Sequence, residues 1–372
     1  MNGPRKEIRV LDFPGVDGFT GLGLRQVLME SVGDGRSLPT YATVDYRRPF
    51  ISIGPSQDID SVIDVERCTA AKVDIVRRSS ASGGAIFYDG GMSEYLVVPR
   101  EFFPGIDDVF EYCRRLFAHV ASKFDYPEIQ YVGNDMRWCG RKVGAFAAIT
   151  TERAYMAISF FNLRRPDMDL YMRFARSPME KFSDKEVKDP RSYLATPEDL
   201  VHHPLSYAEV RGVFRDGVRE LLGIEPVPGV LSDKEEERLQ RVTKEMREDG
   251  WVFRYSSSRR FAAIPRGCLY GVGFFKGKKL IQVNAILDRE GKRIEDIMIS
   301  GDHMISPPSV VDLMSSSIRG LKSDDESEIL GALSRILADP RVEQPKAGAL
   351  SPEDFLQAIR VARQNAVICH RS

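Results

Sequence analysis

Apolar residues recur at helical spacing in Gly18–Val32 (Phe19, Leu22, Leu28, Val32), Ile59–Lys72 (Val62, Val65, Cys68, Ala71) and Asp107–Phe124 (Val109, Phe110, Cys113, Leu116, Phe117, Val120). Each predicts an amphipathic helix with one face on a core. Ile8–Phe13 reads as a strand. Thr40–Ile53 alternates and is rich in β-branched and aromatic residues, predicting two short strands broken near Arg47–Pro49. Val73–Val76 is a further strand, and Ala85–Asp89 with Glu94–Val98 reads as a hairpin. Tyr131–Asn162 reads as a β-meander turning at Cys139-Gly140-Arg141. Arg164–Ala195 is polar and broken by Pro166, Pro178 and Pro190, which predicts an excursion outside the core. Pro204–Leu222 is helical. Leu231–Asp249 is a highly charged helix with a thin apolar stripe, a connector to a second unit. Strands Cys268–Phe275, Lys279–Leu287 and Arg293–Ser300 follow, then helices Ser309–Arg319, Glu326–Ala338 and one whose N-cap is Ser351, with Pro352 in its first turn. The chain is thus α+β, with a first unit over residues 1–250 and a smaller α+β unit, a three-stranded meander plus helices, over 251–372.

Length and composition agree with this division. A chain of 372 residues exceeds one typical domain, and 29% charged with 42% hydrophobic residues is ordinary for a globular protein. The net charge of −1 offers no global attraction to nucleic acid or a membrane surface. Met1–Leu24 is interrupted by Arg5, Lys6, Glu7, Arg9, Asp12 and Asp17, so no leader is expected and the cytoplasm is the expected compartment. The five cysteines are scattered without a CxxC pair, which argues against a zinc site or a disulfide framework. The five histidines lie apart from the motifs described next, and His303 beside Asp302 reads as a turn residue.

One stretch stands out chemically: Asp74–Pro99, DIVRRSSASGGAIFYDGGMSEYLVVP. From Ser79 to Ala85 the side chains are small, so backbone can touch a ligand there, and exposed amides in such a turn form an anion-binding nest. Arg77 and Arg78 add planar cations suited to phosphate or carboxylate. This predicts a loop that grips an anionic small molecule.

Three motifs, in order, resemble the lipoate-protein ligase family of the biotin/lipoate ligase superfamily. They are Arg77-Arg78 with Gly83-Gly84-Ala85-Ile86-Phe87-Tyr88-Asp89, then Asn134-Asp135 with Gly140-Arg141-Lys142-Val143, then Glu180-Lys181-Phe182 through Lys185 to Lys188-Asp189-Pro190-Arg191-Ser192. Gly54 and Gln57 resemble an upstream family turn. Gly273 and Ile294-Glu295-Asp296-Ile297 through Gly301-Asp302 resemble the accessory domain of the same ligases. The sequence departs from the family pattern at several positions. There is one extra residue between Arg78 and Gly83, Ser82 stands where a glycine is usual, Tyr88 replaces a histidine, Met92 replaces an asparagine, and Gly144-Ala145-Phe146-Ala147 replaces a run of serine, glycine and alanine.

The resemblance implies mixed and antiparallel sheets with flanking helices. It implies an ATP-dependent ligase that forms lipoyl-AMP and passes the lipoyl group to a lysine of a carrier protein, such as a lipoyl domain or a glycine-cleavage carrier. Lys142 becomes the catalytic candidate, because a carboxylate meeting the α-phosphate of ATP needs a cation between them. The resemblance assigns ATP to Arg78, Gly83, Gly84, Ala85, Ile86, Phe87, Asp135 and Lys142. It assigns lipoate to Arg78, Gly83, Gly84, Tyr88, Lys142 and Phe146. Asp135 is a candidate ligand for Mg²⁺ or an anchor for Lys142, and Arg77 is either a ligand or a structural partner. The segment Lys181–Arg191 is expected to order over the nucleotide. Two rival readings are an octanoyl or lipoyl acyltransferase, which needs a pocket cysteine, and a non-catalytic lipoate-binding sensor.

Overall fold

In the computed structural model, residues 7–80, 83–126, 128–176 and 192–368 are described. Among them, eight strands form one mixed sheet in the order Glu225–Pro228, Glu7–Val16, Thr40–Tyr46, Gly91–Pro99, Ala154–Asn162, Arg141–Thr150, Asp135–Trp138 and Gln130–Val132. The first three are mutually parallel and the rest antiparallel. A three-stranded sheet holds Asp74–Arg77, Phe50–Ile53 and Ile86–Tyr88. The expected α+β class with mixed sheets and flanking helices is what the chain adopts.

Alternation along each strand sends side chains to two cores. Leu96, Val98, Tyr155, Ala157 and Phe161 meet helices Ile106–Lys123 and Tyr207–Leu222 on one face. Tyr95, Val97, Met156, Ile158 and Phe160 meet helix Gly18–Gly33 on the other. That last helix is buried nearly all round rather than along one stripe. Its outer side is covered by helix Asp233–Glu245, the stretch expected to be a plain connector, which is fastened by Glu235 to Arg9 at 2.8 Å.

Three local expectations are corrected. Ile59–Lys72 is two helices, Ile59–Val62 and Val65–Ala70, because the Asp64 carboxylate accepts from Arg67 N (3.1 Å) and starts a new N-terminus after an extended Ile63. Ala85–Asp89 and Glu94–Val98 do not pair as a hairpin. Ile86–Tyr88 pairs with Phe50–Ile53, whereas Gly91–Pro99 lies inside the large sheet. The chain changes sheets at Gly90, whose φ of +75° disfavours a side chain and whose Cβ would lie 2.2 Å from Arg164 Cγ. The first strand of the meander is divided into Gln130–Val132 and Asp135–Trp138. The turn at Cys139-Gly140 has positive φ at both residues (48° and 74°), the geometry that joins two twisted strands with two residues.

Residues from Cys268 onward form a four-stranded antiparallel sheet, Ile294–Gly301, Leu280–Leu287, Leu269–Lys276 and Val367–Ile368. Helices Val310–Ile318, Glu326–Leu337 and Pro352–Gln364 cover it with a separate core. The last helix is capped as its sequence predicts, with Ser351 and Asp354 bonding reciprocally. This half docks on the first through His303 Nε2 to Ser56 Oγ (3.0 Å), Gln282 Nε2 donating to Asp58 (2.9 Å), and Glu343 on Arg100. Among the described residues no helix is long and apolar enough to cross a membrane.

Candidate active site

A cavity of about 480 Å³ opens where the Gly-rich loop, the Asp135–Trp138/Arg141–Thr150 hairpin and the second half meet. Its described lining carries seven cationic side chains against two carboxylates, so its field favours a polyanion.

Lys142 and Asp135 lie on neighbouring strands of the hairpin, with Nζ 2.8 Å from Oδ1. Tyr193 Oη donates to the same carboxylate at 3.1 Å, and Arg137 stands 3.4 Å from it. The backbone fixes the lysine too: Lys142 N donates to Tyr193 O (2.7 Å) and Ala195 N donates to Lys142 O (2.8 Å). Burial alone would lower the Lys142 pKa, but Asp135 and Tyr193 outweigh it and hold the ammonium above its ordinary value. Burial likewise opposes ionisation of Asp135, yet Lys142 and Arg137 hold its carboxyl at about 2. The pair is therefore fully charged at neutral pH. In Asp135→Asn the larger raising influence is gone while burial remains, so the Lys142 pKa falls. Any step that needs the ammonium should then lose its alkaline limb at lower pH than the parent, and a pH–rate profile measures this. An unmoved limb would show that Asp135 does not sustain the charge.

The Gly-rich loop is shaped by Arg78. Its Nη2 donates to the carbonyls of Gly83 (2.9 Å) and Gly84 (3.0 Å), and its Nη1 to Ser52 Oγ (2.9 Å). Arg78, Gly83, Gly84, Ala85, Ile86, Phe87 and Tyr88 all line the cavity, as do Asp135, Lys142 and Phe146. The ten residues assigned to ATP or lipoate thus all line one cavity. Tyr88 is stacked on Phe50 (4.6 Å between centroids), and its hydroxyl accepts from Arg25 Nη2 at 3.3 Å. Phe146 is buried, with its ring against Phe110 (5.5 Å) in the core. The bulk of Phe146 is therefore largely taken up beneath the cavity floor.

Arg77 is not part of the cavity lining. Its guanidinium is fully buried and donates to five carbonyls: Gly54 (3.0 Å), Pro55 (3.2 Å), Gln57 (2.8 Å), Val252 (2.9 Å) and Tyr255 (3.1 Å). Of the two roles left open for it, the structure supports the structural one. Glu180–Arg191 lies outside the described residues apart from the adjoining Ser192, whose carbonyl accepts from Arg141 Nε. Sequence reasoning missed Arg25, Arg137, Tyr193 and the lysines of the Lys276–Lys279 turn, all of which line the cavity. Arg25 left one trace, an arginine at the end of the apolar and small run Gly18–Leu24.

No cysteine lines the described part of the cavity. Cys139 is exposed in its turn, and Cys113 is buried, with burial pushing its thiol well up. His303 is buried and held neutral, its pKa lowered to about 4 by burial. Asp135 does not fit a protein-held Mg²⁺, since an ammonium, a guanidinium and a phenol already occupy its oxygens. Among the described residues no group of three or more His, Cys, Asp or Glu side chains is placed to hold a metal.

Residues 17–219 match the family model of the lipoyl protein ligase A/B catalytic domain. Octanoyltransferase LipM of Symbiobacterium thermophilum is 24% identical over 260 residues, which cover 63% of this chain and 94% of that protein. Lipoate-protein ligase A subunit 2 of Thermoplasma acidophilum is 33% identical over 93 residues, 25% of this chain and 89% of that protein. The crystal structure of P. falciparum LipL1 in complex with lipoate superposes with a TM-score of 0.67 at 11% identity, covering 95% of this chain and 98% of that one. That likeness shows that the fold is shared across both halves.

Proposed function

This chain belongs to the lipoyl protein ligase A/B family, and on that premise we propose that it is an ATP-dependent ligase joining lipoate to a carrier-protein lysine through lipoyl-AMP. The observation that carries this reading is the charged Lys142–Asp135 pair on the lining of a cavity rich in cations. A carboxylate and a triphosphate repel each other, and an anchored ammonium between them removes that obstacle without reorganisation. The carboxylate oxygen attacks the α-phosphorus, the bond to the β-phosphate oxygen breaks, and pyrophosphate leaves with the electron pair. In the second step the carrier lysine amine attacks the acyl carbonyl, gives up a proton, and AMP departs. Lys142 then holds the carbonyl oxygen. Backbone at Gly83–Phe87 receives the nucleotide, and Tyr88, Phe146, Ile158 and Phe160 line the apolar path for the acyl chain. Mg²⁺ arrives with ATP as part of the substrate. In this reading residues 1–250 are the catalytic unit and 251–372 the accessory unit.

A second reading is favoured by the LipM relative. An octanoyltransferase takes its acyl group from a thioester and needs no ATP. It requires a thiolate in the pocket, and the described lining has no cysteine. The test is to incubate the full chain with ATP, Mg²⁺ and lipoate without carrier, and separately with an octanoyl thioester. Lipoyl-AMP with pyrophosphate release is expected. Acyl transfer from the thioester without adenylate would replace the ligase by the transferase. Lipoate binding with neither reaction would leave a sensor.

A further inference from the structure

Three lysines in the cavity come from the second half. The turn between strands Leu269–Lys276 and Leu280–Leu287 places Lys276, Lys278 and Lys279 on the lining. Lys279 Nζ donates to Asn134 Oδ1 at 3.0 Å, and Asn134 is the chain neighbour of Asp135, which anchors Lys142. Asn134 is in turn held by Phe146, its Nδ2 donating to Phe146 O (3.0 Å) and its carbonyl accepting from Phe146 N (3.0 Å). The turn is therefore fixed one residue from Asp135, the anchor of the ammonium proposed to meet the reacting atoms.

We propose that the Lys276–Lys279 turn completes the triphosphate site, taking up the β- and γ-phosphates and stabilising the pyrophosphate as it leaves. This inference rests on the ligase reading. The charges of the first half are largely committed: Lys142 and Arg137 face Asp135, and Arg78 serves Ser52 and the loop carbonyls. Lys278 and Lys279 instead donate to neutral oxygens, Lys346 O (3.0 Å) and Asn134 Oδ1. An incoming phosphate displaces such an acceptor without separating an ion pair. The only carboxylate that the second half adds to the described lining is Asp302, which is bonded to the backbone N–H of Leu280. The step itself balances without a proton: the Pα–O bond to the β-phosphate breaks and the charge stays on pyrophosphate, where the lysines neutralise it. Carrier lipoylation from preformed lipoyl-AMP involves no pyrophosphate, so the turn acts in the first half-reaction alone.

The test uses the full chain carrying Lys276→Ala and Lys278→Ala together, leaving Lys279 to keep its bond to Asn134. Three readouts are taken: pyrophosphate release with ATP and lipoate, inhibition of that step by added inorganic pyrophosphate, and lipoyl transfer from preformed lipoyl-AMP to a lipoyl domain. Adenylation should fall at least about tenfold, inhibition by pyrophosphate should weaken by a similar factor, and transfer should stay within about twofold of the parent. The Lys276→Arg, Lys278→Arg pair should recover most of the adenylation. Adenylation at the parent rate overturns the inference. So does an equal loss in both half-reactions, which would mean that the turn only maintains docking. A parent that forms no lipoyl-AMP takes the ligase reading down with it, whereas an active parent with unimpaired variants removes only the role of the turn.

Discussion

Lys142→Ala is expected to lower lipoyl-AMP formation at least about 100-fold, or ~2.7 kcal/mol of transition-state stabilisation, with lipoate still bound. The alanine leaves Asp135 with Arg137 and Tyr193, so the carboxylate keeps partners and the hairpin keeps its register. What is lost is the ammonium proposed to stand between carboxylate and α-phosphate. Transfer from preformed lipoyl-AMP should also fall, because the same group is proposed to hold the carbonyl oxygen in that step. This separates Lys142 from the second-half lysines, whose loss spares transfer. Pyrophosphate release and lipoyl-domain modification measure the two steps, and a thermal-shift assay with lipoate checks binding. Adenylation within a fewfold of the parent would end the assignment of Lys142.

The largest effect on stability should come from Arg77→Met, a loss of about 3–5 kcal/mol. Methionine fills much of the same volume but takes a donor from five carbonyls in a place water does not reach; Gly54 O keeps Gln57 N and Tyr255 O keeps Ile59 N, whereas the carbonyls of Pro55, Gln57 and Val252 are left bare. Burial already pulls the Arg77 pKa down to about 9, against the opposing influence of Tyr255 and Asp58. Arg77→Lys should rescue little, because a three-donor ammonium cannot span acceptors arranged around a planar fork. Thermal denaturation reads this as a fall in Tm on the order of 10 °C. A Tm within a degree or two of the parent would mean that solvent or a rearranged loop satisfies those carbonyls.

Much of the fold was legible because it rests on long periodic segments. Ile106–Lys123 keeps the apolar face its sequence shows, and Pro352–Gln364 starts where its capping residues place it. The errors share a cause, which is that strand pairing depends on distant partners. Nothing near Ile86–Tyr88 announces that its partner is Phe50–Ile53 rather than the strand a few residues ahead, and three residues are too few for alternation to carry information. Gly18–Gly33 looked amphipathic because its second cover, Asp233–Glu245, lies about two hundred residues downstream. The same holds at the site. Lys142, Asp135 and the Gly-rich loop were readable from local motifs. The lysines of the Lys276–Lys279 turn fell at the junction of two expected strands, and their meaning comes from Asn134 on the other half of the chain. Arg77 and Arg78 are adjacent and chemically identical. Strand geometry alone sends one into the packed junction and the other to the loop.

The junction also bears on how such a protein is divided into separate chains. Two of the five Arg77 acceptors, Val252 and Tyr255, lie beyond residue 250, and Trp251 Nε1 donates back to Arg77 O at 2.9 Å. The Tyr255 side chain meanwhile packs with Phe261, Cys268, Ile286 and Met298 of the second half. A break just before Trp251 thus hands part of one arginine's coordination to another molecule. The first fragment would then hold its full stability only while occupied by the second, and its melting temperature would rise with the concentration of that partner by mass action. Fission at this point turns an internal packing contact into an association constant, and the abundance of one gene product into a condition for the integrity of the other.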